Sequence, residues 1–146
     1  METGFFMSVR VGDRQKGKLE VLNKARVLKR YTLALLKNEK YFPKSVRWLY
    51  AVPIQNEMRG ASICIKRANA TYISDSITRD VEFKYRVSQQ IEAYAHLEAL
   101  LDLIEDVYLA KYISGRQAEH WTELIVETEQ LLKAWEKSDK ERYYSK

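Results

Sequence analysis

Apolar residues recur along this chain at helical spacing over four long segments. From about Leu19 to Asn38, Val21, Ala25, Leu28, Tyr31, Thr32 and Leu35 fall on one stripe when residues are set about 100° apart. From about Pro43 to Tyr72, one side collects Val46, Tyr50, Pro53, Ile54, Ala61, Cys64, Ile65, Ala68 and Tyr72. From about Thr78 to Tyr112, a main seam of Val87, Ile91, Tyr94, Leu101, Ile104 and Tyr108 is joined by a second strip of Leu97, Leu100 and Leu103. From about Gly115 to Ser138, Trp121, Leu124, Ile125, Thr128, Leu131, Leu132 and Trp135 point inward. Each pattern predicts an amphipathic helix that buries one face.

The breaks between segments carry helix-boundary chemistry. Asn38–Phe42 reads as a corner, and Pro43 suits the first position of the next helix, where its missing N–H costs nothing. Ile73–Thr78 is a second corner, with Ser74, Asp75 and Ser76 as capping candidates. Ser114 with Gln117 three residues on forms a capping-box pattern. Pro53 lies well inside the second helix and predicts a kink near Leu49–Pro53. Gly60, two turns on, either admits a close neighbour or adds flexibility.

Short loops between four such helices predict an all-α, up-down-up-down antiparallel four-helix bundle over residues 19–138. Residues 1–18 read as an N-terminal tail whose brief apolar alternation suits a short strand or a docking segment. Residues 139–146 read as a polar C-terminal tail.

Composition supports one globular, helical domain. The chain has 146 residues, 46% of them hydrophobic, with only 5 glycines and 2 prolines, too few for the turns of an all-β fold. The single cysteine, Cys64, can make no intramolecular disulfide and reads as a small buried hydrophobe. The first residues lack a signal-peptide apolar region, and no stretch reaches the roughly 18 apolar residues of a membrane span. A soluble, cytoplasmic protein without membrane attachment is expected.

The net charge of +5 conceals a division. Residues 1–73 contain 15 basic and 5 acidic residues, and residues 74–146 contain 10 and 15. The first half is therefore strongly basic and the second acidic, which points to an acidic partner for one face, nucleic acid first among candidates. Mutual neutralisation of the two halves within one folded bundle is the plainer alternative.

Catalytic chemistry is not legible. His96 and His120 lie in different helices without metal-ligand spacing and read as solvated or capping residues. Neither a phosphate-binding glycine loop nor a nucleophile motif is present. The run Glu119, Glu123, Glu127 reads as a solvated helix face. A non-enzyme with no metal and no cofactor is expected. What stands out is a cationic surface on the first two helices: Arg26, Lys29, Arg30, Lys37, Lys40, Lys44, Arg47, Arg59, Lys66 and Arg67. Around the first helix only Glu20 and Glu39, one near each end, oppose these charges, whereas exposed helices commonly mix signs at i,i+4. Lys and Arg in such numbers bind phosphates without reading sequence. Nearby Tyr41, Phe42 and Trp48 either stack on bases or pack the corner. Trp48 lies outside the core stripe, so base stacking and burial in a subunit interface are both open to it.

Two stretches carry a family resemblance. One is a helix ending Leu-Leu-Lys-Asn followed by Tyr-Phe-Pro-Lys and FPKSVRWLY (Phe42–Tyr50). The other is LAKYISGRQAEHWTELIVETEQLLKAWEKSD (Leu109–Asp139). Over roughly Arg30 to Asp139 the chain resembles a four-helix-bundle family. That family comprises the accessory variability determinants of diversity-generating retroelements and the proteins encoded in ribosomal-RNA intervening sequences. The resemblance implies a homopentamer without catalytic residues that binds a reverse transcriptase and RNA or DNA and supports mutagenic copying of a template RNA. Lys37, Lys44 and Arg47 match the family's basic pattern. The other seven cations come from the charge reading alone. AVPIQNEMRGAS (Ala51–Ser62), with Pro53 and Gly60, departs from the family's second helix, and the acidic second half departs from a uniformly basic barrel. The alternative within this resemblance is an intervening-sequence-type, self-assembling scaffold that does not bind nucleic acid.

Overall fold

The structure, a computed structural model, describes the backbone of residues 6–143 and the side chains of residues 17–143. Four α-helices account for most of it: α1 Phe6–Lys37, α2 Val52–Ala70, α3 Arg79–Leu109 and α4 Gly115–Tyr143. The described residues contain no strand. A 3₁₀ turn, Lys44–Val46, and a π-helical turn, Arg47–Ala51, lead into α2. Helix α1 packs on α2 and α4, and α3 also packs on α2 and α4. No helix among the described residues is long and apolar enough to cross a membrane.

The buried positions advance in alternating steps of three and four residues. In α1 they are Val21, Ala25, Leu28, Thr32 and Leu35, and in α2 Ile54, Met58, Ala61, Ile65 and Ala68. In α3 they are Phe83, Arg86, Gln90, Ala93, Leu97, Leu100, Ile104 and Val107, and in α4 Trp121, Ile125, Thr128, Leu132, Trp135 and Asp139. This is the heptad spacing by which a helix keeps one continuous stripe against its neighbours. Each wholly buried Leu, Ile or Met stabilises the fold by about 1.5–3 kcal/mol relative to exposure.

The α3 seam differs from the expected one. Ile91 is 51% exposed, Tyr108 is 44% exposed, and Val87 and Tyr94 are only half-buried. Two seam positions hold Arg86 and Gln90, so counting apolar residues rotates the apparent stripe around the helix. Asp139 of α4 resolves the polar pair: it accepts from Arg86 Nη1 at 3.1 Å and from Gln90 Nε2 at 2.8 Å. Arg86 Nη2 donates to the Thr71 carbonyl at 2.8 Å.

The helices also run beyond the 19–138 window. The backbone is already helical at Phe6, so most of the stretch read as an N-terminal tail continues α1, and α4 reaches Tyr143. Gly12 and Gly17 hid the first extension, because glycine disfavours a helix by about 1 kcal/mol relative to alanine. The polar composition of Ser138–Tyr143 hid the second. Residues 1–5 and 144–146 of the expected tails lie outside the described residues.

The breaks follow their expected chemistry in part: Pro43 precedes the 3₁₀ turn and does not open α2, which begins at Val52 and not at Pro43. Ser114 N–H donates to Gln117 Oε1 at 2.8 Å and Gln117 N–H to Ser114 Oγ at 3.1 Å, a reciprocal capping box. Before α3, Ser74 does not cap the helix directly. Its N–H and hydroxyl both donate to Glu82 at 2.8 Å, and Thr78 donates to the other Glu82 oxygen at 2.7 Å. Pro53 is accommodated by a widened turn: Val52 N–H reaches back five residues to the Arg47 carbonyl. Proline and π turns are the usual causes of a helix bend, and here they coincide at the expected place, at the entry to α2. Tyr72, expected on the α2 core side, is exposed because α2 ends at Ala70.

Candidate nucleic-acid interface

Nine of the ten cations singled out above are exposed, and Lys29 is half-buried. None of the ten forms an ion pair among the described residues. Arg26 bonds only Asn23 Oδ1 at 3.3 Å, and Lys40 lies over the Tyr41 ring at 5.8 Å. Of the α1 cations from Gly17 onward, Lys24 is ion-paired to α4, with Glu127 at 3.0 Å.

The structure brings three of the ten together. Arg26 and Lys29 of α1 and Lys66 of α2 line one groove between the two helices, floored by Leu22, Ala25 and Ile65, with a volume near 160 Å³. Two cations from one helix and one from its neighbour face a shared cleft without a carboxylate among its lining residues. Like charges converging in this way attract phosphate and release its counterions.

Lys44 and Arg47 lie elsewhere, on the turns that precede α2. Between them and α2 the π turn presents Trp48 at 80% exposure and Leu49 at 63%. Phe42 is buried in the core, and Tyr41 packs half-buried against it, so neither is free to stack on a base. Trp48 alone of the three aromatics is presented to solvent. Arg67 turns away from the groove: its charge acts on the Cys64 thiol, which burial and Glu92 push up.

A further group of cations lies outside the ten. Lys18, Arg79, Arg86 and Arg142 line a pocket of about 520 Å³ with Asp75, Asp139, Trp135 and Tyr143. Burial first, then the Arg86 charge, depresses the Lys18 ammonium. Lys18 and Arg142 fall in the stretches read as tails, and Arg86 was hidden within a seam read as apolar.

An opposite surface lies between α3 and α4. Leu101, Ile104 and Val126 floor a groove of about 860 Å³ that is rimmed by Glu98, Asp102, Glu105, Glu119, Glu123 and Glu127. The Glu119–Glu127 run is therefore one wall of an acidic cleft with an apolar floor. His120 meets Tyr31 edge to face at 4.8 Å between ring centres, packing α4 on α1. His96 sits instead among Glu57, Glu92 and Cys64. Compared with protein-family models, curated proteins and solved structures, the chain matches none.

Proposed function

We propose that this chain is a non-catalytic nucleic-acid-binding accessory protein whose α1–α2 face engages phosphates. The observation that carries this reading is the groove where Arg26, Lys29 and Lys66 converge with no carboxylate among its lining residues. Arg30, Lys37, Lys40, Lys44, Arg47, Arg59 and Arg67 extend the positive field, and Trp48 offers a ring on which an unpaired base stacks. In this reading the four helices form an up-down-up-down antiparallel bundle. Supporting it, the paired residue numbers rise on one helix as they fall on the next: Lys24 with Glu127 and Thr32 with Trp121, then Arg86 with Asp139 and Tyr94 with Lys133. The family resemblance adds the partner and the assembly: a diversity-generating-retroelement reverse transcriptase, a homopentamer and a cytoplasmic setting.

The test is light scattering on a sizing column, with and without a short RNA, at low and high salt. The expected result is a multimeric mass that shifts with RNA at low salt only, because each phosphate contact releases counterions. A mass indifferent to RNA at both salts refutes the nucleic-acid reading, and a monomer refutes the pentamer.

A second reading is favoured by the acidic groove between α3 and α4. In it the basic face of one copy docks against that groove on the next, giving a self-assembling scaffold without nucleic acid. Arg26→Glu with Arg30→Glu discriminates. The scaffold reading expects the assembly to dissociate. The accessory reading expects it to persist and lose RNA.

A further inference from the structure

Cys64 lies beneath α3, 2% exposed, and one ligand atom each from Cys64, Glu92 and His96 fall within 4.8 Å of one another. Two features orient the histidine. Its Nδ1 is 2.8 Å from Glu57 Oε1, so a carboxylate on α2 accepts the Nδ1 proton. In the neutral ring this bond selects the tautomer whose Nε2 carries the lone pair, and Nε2 is the atom facing Glu92 Oε2, at 3.9 Å. A carboxylate bound to the far nitrogen is the usual outer partner of a metal-ligating imidazole.

The second feature is Gly60. A β-carbon there would lie 2.6–2.7 Å from Cε1, Nδ1 and Nε2 of His96. Glycine at this point lets the imidazole lie flat against α2, one turn from Cys64. Two short registers make the cluster: Glu57, Gly60 and Cys64 on one face of α2, and Glu92 and His96 one turn apart on α3.

We infer that Cys64, His96 and Glu92 form a binding site for a divalent transition-metal ion of the zinc class, with Glu57 as the positioning residue of His96. One thiolate, one imidazole and one carboxylate form a donor set suited to zinc, leaving a fourth position for water. A tetrahedral zinc holds such atoms roughly 3.3–3.6 Å apart, given its bond lengths of about 2.0–2.3 Å. The exposed Glu92 side chain is free to adjust toward that spacing, and the remaining closure is a shift of less than about 1.5 Å between the Cys64 and His96 side chains. Around the cluster the two carboxylates Glu57 and Glu92 outnumber the one nearby cation, Arg67, and a divalent ion would take the place of the thiol proton. Binding would pin α2 to α3. The inference is independent of whether the α1–α2 face binds nucleic acid.

Cobalt(II), titrated into the chelator-treated full chain, tests the site. One ion per chain is expected, with thiolate-to-cobalt charge-transfer absorption, four-coordinate visible bands and displacement by zinc. Cys64→Ser should abolish the charge-transfer band, and Glu57→Ala should weaken affinity about 10–100-fold, the usual effect of losing an outer partner. Gly60→Ala should weaken binding by displacing the imidazole. Glu92→Gln, at an exposed position, should weaken it with helicity unchanged by circular dichroism, which keeps the test valid if Gly60→Ala misfolds. Zinc should also raise the melting temperature of the parent chain and not of Cys64→Ser. Absence of cobalt binding, binding without the charge-transfer band, or binding unchanged in Cys64→Ser overturns the inference.

Discussion

The indole N–H of Trp121 donates to Thr32 Oγ1 at 2.9 Å, and both residues are wholly buried, joining α4 to α1. Thr32→Val keeps the shape and leaves the indole proton without an acceptor. Stranding a buried donor costs about 1–3 kcal/mol. Urea unfolding should show that loss, and Thr32→Ser should show less of it. An unchanged midpoint for the valine variant would mean that the bond contributes nothing.

Arg86 and Asp139 form an ion pair with side chains only 8% and 5% exposed. Asp139→Ala strands a buried guanidinium and should destabilise the fold by about 3–5 kcal/mol. Replacing the whole network with apolar residues (Arg86→Met, Gln90→Leu and Asp139→Leu) should recover most of that loss, since no buried charge is then left alone. Recovery failing in the triple variant would show that the network also specifies the packing.

Glu129 is the titrating group with the clearest consequence. Burial, then a hydrogen bond and the charge from the Glu98 carboxyl, raise it from 4.5 to about 8, against the opposing Lys133. The unfolded chain gives up this proton near the ordinary value and the folded chain keeps it. Its contribution therefore favours folding fully below pH 4.5 and is lost as pH rises toward 8. Glu129→Gln should flatten the pH dependence of the melting temperature across that window and raise stability at its upper end. Parallel curves for the two proteins would contradict the assignment.

Lys111 ends α3 with a φ of 67°. Its N–H donates to the Tyr108 carbonyl at 2.9 Å, and Tyr112 N–H donates to Val107 at 3.2 Å, the two bonds of a Schellman cap. A side chain in this left-handed conformation costs roughly 1–2 kcal/mol. Lys111→Gly should stabilise the protein by about 0.5–1 kcal/mol after the glycine's greater unfolded-state freedom is subtracted. Differential scanning calorimetry would read this as a higher melting temperature.

Trp48 tests the nucleic-acid reading apart from charge. Exposed on its π turn, it should tolerate Trp48→Ala with stability unchanged within about 0.5 kcal/mol. Affinity for single-stranded RNA should fall by about 1–3 kcal/mol if one base stacks on the ring. The salt slope should stay the same, because no phosphate contact is removed.

The sequence by itself determined four helices, three of their seams and the capping box at Ser114. Those features arise from residues three or four apart, so periodicity and cap chemistry report them directly. It also singled out ten cations in the basic first half, because charge is a property of composition; seven lie on α1 and α2, and Lys40, Lys44 and Arg47 lie on the connection between them. The tertiary structure decided the rest. Arg86 and Gln90 become core residues only because Asp139 stands opposite them, 53 and 49 positions along the chain. Arg26, Lys29 and Lys66 share a groove and Arg67 does not, since the packing of α1 on α2 selects which faces meet. Cys64 and His96 read as an inert thiol and a solvated imidazole, each alone on its helix. They become neighbours through the contact of α2 with α3, at a point where Gly60 leaves room for the ring. Local spacing fixes what each helix buries. Which polar groups find one another depends on helix contacts between distant parts of the chain, and no local pattern encodes that.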